Sequence, residues 1–385
     1  MEVKMKKSFL LLFLLLLGFN PGCGVTELDK ASIPLGLGVD VDGEQIVVST
    51  ELASPISPEQ IESSSGPDFY VISGRGPTVV EAARKTTLEI PRNPLWSHTN
   101  TMIIGEKLAR QDMALFMDFL SRNRYVRKNI PVFVSSQSTP EEILSVKPPI
   151  EPHPSIAIKN ILNLQEKQVG IYVPIDLKEM EFRFLSPGIE PLVPQVSILE
   201  SNTGKRLCLE GAAVFRGRKM VGSFNEMESR GYRWMSPRRI QGGLFLVPSP
   251  LHSGKLISLE LSRSLAQITP KLQEGAIIMR IEIKAEGNFY EQNEAGELFT
   301  RERFQAIEEL ANQEIKRQIL LSIDKAQELN SDVFGWGQMI KQNYPQQWGE
   351  MEGNWEELFP TVDKQIKVDF SLRRSYLADK SFNFQ

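Results

Sequence analysis

Cys23 is the side chain whose surroundings name a reaction. Lys4, Lys6 and Lys7 make a basic start, and an almost wholly Leu and Phe run of about 12 residues, Ser8 to Phe19, follows. A helix needs about 20 apolar residues to cross a bilayer, so a run this short behind a basic start reads as an export signal. Gly22 then places a small residue directly before the cysteine. A thiol at that point is a nucleophile through which a group can be attached at sulfur.

Residues 20–23 resemble a bacterial lipobox, with Asn20 standing where Leu is usual and Pro21 after it. An ordinary cleaved signal with an unrelated cysteine nearby is the alternative. Removing residues 1–22 takes away three lysines and one glutamate and moves the formal net charge from −4 to −6. A mature chain of that charge lacks the concentrated basic surface that nucleic acid attracts. The other cysteine, Cys208, would have no disulfide partner once Cys23 is acylated, and is expected as a small buried hydrophobe.

Other chemistry is sparse. His98, His153 and His252 have no second His or Cys at metal-ligand spacing, and no Gly-x-Ser-x-Gly elbow occurs. Asp40, Asp42 and Glu44 bracket Gly43 but lack the ligand spacing of a calcium loop, so a hairpin turn is expected. Gly74-Arg75-Gly76-Pro77-Thr78 lacks the Gly-Lys-Ser/Thr ending of a phosphate loop, and Pro77 removes an N–H donor. The expectation is a protein that is not an enzyme and has no metal or cofactor.

The elements needed to position these residues read as α+β, in three mixed α/β domains. Residues 23–200 carry an alternating hairpin around Asp42-Gly43, a strand Phe69–Ile72, a capping box at Thr78 and Glu81, and a strand Met102–Ile104. A helix marked by Leu108, Phe116, Phe119 and Leu120 follows, then a strand Pro131–Ser135 and a second capping box at Thr139 and Glu142. The proline-rich stretch 147–154 fits a loop better than a linker, because helical patterns resume at 156–164 and 177–184. Residues 201–250 are expected as a small middle α+β domain with strands Gly211–Phe215 and Met220–Phe224. In 251–385, Ile257, Leu259 and Leu261, then Met279, Ile281, Ile283 and Ala285, alternate with polar residues, as does Ile366 to Leu372. That is an antiparallel sheet with one face to cover. Phe304, Ile307, Ala311, Ile315, Ile319, Ile323 and Ala326 step by three or four and supply the cover, an amphipathic helix rather than a coiled-coil seam. Its far side carries Glu308, Asn312, Lys316 and Asp324.

Asn330-Ser331-Asp332-Val333-Phe334-Gly335-Trp336-Gly337 ends that helix, and Trp336, Tyr344, Trp348, Trp355 and Phe359 fall within 24 residues. A tight helical corner sealed by aromatics is one reading. An aromatic partner-contact surface at Phe334, Trp336, Trp348 and Trp355 is the other.

These residues resemble the Ger(x)C family, the lipoprotein C subunits of spore germinant receptors. The likeness runs through Glu27-Leu28, Leu35 to Asp40, Ile103 to Ala109, Asp118 to Asn123, Gly211 to Phe215 and, most specifically, Ala326 to Gly337 with Tyr344-Pro345, Trp348 and Asn354-Trp355. The Trp-Asp usual after the family's cysteine is missing. The resemblance implies a three-domain fold without known catalytic residues. It also implies anchoring by membrane lipid through Cys23 on the outer face of the spore inner membrane, and assembly with two polytopic membrane subunits, A and B. A stand-alone extracytoplasmic solute-binding lipoprotein is the competing function.

Overall fold

The computed structural model describes residues 30–54, 68–202, 204–273, 276–293 and 300–375. The hairpin at Asp42-Gly43 forms: β2 (Pro34–Asp42) pairs antiparallel with β3 (Gln45–Ala53), and Gly43 takes φ +61° in the turn. A short pair, β1 (Ala31–Ser32) and β5 (Asn93–Pro94), lies beside it. β4 (Phe69–Gly76) extends the hairpin on one side. On the other, β6 (Thr101–Ile104) and β7 (Val132–Ser135) join in parallel.

Helices cover both faces of this sheet. α1 (Val79–Lys85), α2 (Glu106–Gln111) and α3 (Ala114–Arg122) pack with Leu37, Val39, Met102 and Ile104. The single helix expected from Leu108 to Leu120 is two, because the Asp112 carboxylate accepts from the Ala114 amide and restarts the chain. α4 (Pro140–Leu144) and α5 (Pro154–Gln168) take the opposite face, with Ile103 and Phe133. Gly36 and Gly38 of β2 make room there: a Cβ on Gly38 would lie 2.5 Å from Pro140 Cβ, and one on Gly36 2.6 Å from Leu144 Cδ2. Residues 147–154 are a loop within this layer, since the Ser155 amide donates to Glu51 of β3 and Thr101 Oγ1 donates to the Ser155 carbonyl. α6 (Leu177–Leu185) follows.

The stretch 201–250, expected as a separate unit, is shared between two sheets. β8 (Leu192–Ser201) pairs with β9 (Gly204–Arg216), which pairs with β10 (Lys219–Phe224), and all three extend the N-terminal sheet to eight strands. A boundary at 200/201 would therefore cut a hydrogen-bonded hairpin, with Ser201 paired to Gly204. α7 (Glu226–Trp234) instead lies against the long C-terminal helix, and β11 (Leu244–Pro248) enters the second sheet. Short strands advertise a buried face but not which neighbour they will pair with. Cys208, on β9, is half-buried rather than buried, with Sγ 2.9 Å from Ser197 Oγ.

The second sheet has the order β11-β12-β13-β14. β12 (Leu256–Gln273) and β13 (Ala276–Gln292) are far longer than their clearest alternation. β14 (Asp363–Ser375) re-enters as expected but runs parallel to β13. No strand pairs with the outer side of β12 beyond Ser264 among the described residues. α8 (Arg301–Glu328) lies across the sheet with Ile307, Ala311, Ile315, Ile319, Ile323 and Ala326 fully buried. Its polar side does more than meet water. Asn312 Oδ1 accepts from the Phe370 amide and Glu308 Oε1 from the Leu372 amide, both at 2.8 Å. Asp324 holds Lys364 at 3.1 Å. No helix among the described residues is long and apolar enough to cross a membrane.

Candidate functional site

The corner after α8 is the densest constellation in the molecule. Asn330, at φ +51°, ends the helix, and the chain then turns through Gly335 at φ +74° into α9 (Trp336–Asn343). α10 (Pro345–Met351) and α11 (Trp355–Leu358) complete it. Asp332 organises the turn. Its Oδ1 accepts from the Trp336 amide at 3.0 Å, and its Oδ2 accepts from the Gly337 amide at 2.8 Å and from Trp355 Nε1 at 3.1 Å. Burial pushes its carboxyl up to about 6, against the pull of those three donors.

Around Asp332 the aromatics form a continuous stack. Ring centroids are 5.9 Å apart for Tyr232 and Phe334, 5.5 Å for Phe334 and Trp336, and 5.5 Å for Trp336 and Phe359. Trp355 sits 6.1 Å from Phe359 and 5.4 Å from Trp348. Phe334, Trp336, Trp348 and Trp355, expected as partner contacts, are all buried, with Trp336 at 0% exposure. They seal the corner from inside, and a partner docking from solvent would meet other atoms first.

What the corner does meet is the N-terminal half. The Asp332 carbonyl accepts from the Glu190 amide at 2.8 Å, and Gln338 Nε2 donates to the Pro187 carbonyl at 2.7 Å. Ser331 Oγ donates to the Phe215 carbonyl of β9. Arg183 of α6, itself buried, donates from Nη1 to the carbonyls of Glu190 and Val333 at 3.1 and 3.0 Å. Gly188 and Gly337 touch: a Cβ on Gly337 would lie 2.5 Å from the Gly188 Cα. Glu190 Oε1 accepts from the Gly217 amide at 3.0 Å, and burial, reinforced by Asp332 nearby, pushes its carboxyl up to about 8.

A second polar group lies under α5. Glu51 is fully buried, its Oε2 accepts from the Ser155 amide at 3.0 Å, and its Oε1 approaches His153 Nδ1 to 3.2 Å. Burial raises the Glu51 carboxyl to about 7 and lowers the imidazole, so the proximity is that of two groups held close to neutrality. Nothing in the residue pattern marks this pair, whose members are 102 positions apart. Asp40 accepts from the amides of Val41 and Leu108, and fills the space beside Gly105. That makes it a strut between the hairpin and α2. Among the described residues no three His, Cys, Asp or Glu gather at metal-holding distance. Cys23 lies outside the described residues.

Comparison with known proteins divides the chain within the β8–β9 hairpin, not between the two sheets. Residues 24–198 match the model described as spore germination protein N-terminal domain. Residues 210–376 match that described as spore germination B3/GerAC like, C-terminal. The chain belongs to the spore germination B3/GerAC-like family. Among relatives in Bacillus subtilis (strain 168), spore germination protein KC is 24% identical over 386 residues, covering 95% of this chain and 95% of that protein. Spore germination protein B3 is 22% identical, covering 96% and 98% respectively. The crystal structure of the GerBC protein aligns with a TM-score of 0.58 at 19% identity, over 90% of this chain and 99% of that one. The B3/GerAC-like fold is thus shared along nearly the whole chain. The Ala326–Gly337 run that carried the resemblance occupies the corner where its two halves lock.

Proposed function

We propose that this protein is a lipid-anchored, non-enzymatic subunit of a nutrient germinant receptor, acting with two polytopic membrane subunits during spore germination. The observation that carries the reading is the pair of family matches, which together span 24–198 and 210–376. The first begins at the residue after Cys23, where the sequence places the end of an export signal. Relatives named as germination proteins along almost the full chain support the receptor role. Lipid at Cys23 would hold the protein on the outer face of the spore inner membrane. Each buried acyl CH₂ contributes about 0.8 kcal/mol, one chain holds only marginally, and the two chains of a diacylglyceryl group make residence long.

The test is Cys23→Ala in the full chain. The protein should fold and accumulate but leave the membrane fraction, and germination in response to nutrient should fall. Normal membrane retention with normal germination would overturn the anchor.

A further inference from the structure

The register of the eight-stranded sheet brings several chain ends to one rim. Gly36 lies beside Thr101 and Glu51, Ala53 pairs with Phe69, and Met102 pairs with Val132. The starts of β2, β4, β6 and β7 and the end of β3 therefore share that rim. Adjacent strands lie about 4.8 Å apart, so these five span about 19 Å. The chain enters here, at Ala31. An extended segment from Cys23 to Lys30 reaches at most about 25 Å, so lipid on Cys23 must stay within that distance of the rim.

The rim carries side chains suited to a headgroup layer. Ile150 is 92% exposed at the tip of the loop between α4 and α5, and Pro149 and Pro152 on either side of it favour extended backbone. Ser155, five residues on, is tied to Glu51 and Thr101 at the rim itself. Lys147, in the same loop, reaches Asp68 beside β4 at 3.1 Å. Tyr70, second in β4, is about half exposed. Tyrosine at an apolar–polar boundary, and Arg or Lys towards anionic headgroups, are the residue types that such a surface selects. Among the described residues, Asp68 engages Lys147, Glu151 engages Asn160 Nδ2, and Glu181 engages Lys128.

We propose that this rim lies against the bilayer surface, with Ile150 set into the headgroup layer and Tyr70 beside it. The proposal rests on lipid attachment at Cys23 and adds an orientation: the β2–β3 turn and the starts of α2 and α4 face away from the membrane.

The test uses the mature, lipidated full chain with Cys208→Ser, reconstituted on phosphatidylethanolamine–phosphatidylglycerol vesicles. An environment-sensitive fluorophore is attached through Ile150→Cys or, as the control at the opposite end, Glu44→Cys. The expected result is a blue-shifted emission at position 150 that headgroup-level nitroxide lipid quenches, with water-like, unquenched emission at 44. Equal, water-like emission at both positions on protein that floats with the vesicles would overturn the orientation and leave the anchor intact. Protein that does not float would remove the anchor, and the proposal with it.

Discussion

At the scale of single residues, three carboxyls set the response to pH. Glu51, Glu190 and Asp332 are raised by burial to about 7, 8 and 6 from ordinary values of 4.5, 4.5 and 3.8. The folded state therefore binds these protons more tightly than the unfolded chain does, and stability falls as pH rises through that window. His153, lowered by burial, acts in the other direction as pH falls past its ordinary value of 6.5. The urea midpoint should be higher at about pH 6 than at about pH 9, because the unfolded chain has released protons that the native state keeps. Glu190→Gln should raise the midpoint at the alkaline end, leave it nearly unchanged at about pH 5, and flatten the slope between them. An unaltered slope would mean that this carboxyl is not what titrates. None of the three was visible as a buried acid in the sequence. Asp332 showed only as one residue of the run that ends the long helix, and nothing around Glu51 or Glu190 marked a carboxyl that the fold would cover. Burial of a carboxylate is a property of what folds over it.

At the scale of elements, the long helix was the most legible part of the chain. Its four-residue step marks the buried face through α8, and all six positions from Ile307 to Ala326 in that stripe are fully buried. The opposite side was harder to read, because Glu308 and Asn312 look like any solvated pair. They accept the amides of Leu372 and Phe370 on the outer side of β14, groups that an edge strand would otherwise offer to another chain. The direction of β14 was hidden for a related reason: alternation reports which face is buried and is the same for a parallel and an antiparallel strand. Replacing both side chains, Glu308→Ala with Asn312→Ala, should speed amide exchange at Phe370 and Leu372 and increase self-association on sizing columns. Protection equal to the parent's would show that the helix backbone alone guards the edge.

At the scale of the whole molecule, the corner at 330–337 makes one body of two halves. The aromatic run was legible as a feature, and the corner reading of it agrees with the geometry. Its partner was not legible, because Gly188, Glu190 and Arg183 lie some 150 positions upstream. One apolar cluster extends from Ile103 and Phe133 through α7 to α8 and the second sheet, so unfolding should be a single transition in calorimetry. Gly337→Ala would drive a methyl group into Gly188 and Trp348, and overpacking of this kind costs about 1–3 kcal/mol. The variant should melt at lower temperature, with the transition broadened or divided as the halves lose their contact. A midpoint equal to the parent's would show that the glycine contact is slack.

Among the described residues β12 passes beyond Ser264 with no strand on its outer side, and Pro270 stands within that open length. Proline within a paired strand is tolerated where its missing N–H would point away from the neighbour, so the free margin lacks one donor of its ladder. Copies of one chain held at high local concentration meet along such open margins. A margin broken in this way hinders them from zipping together strand by strand.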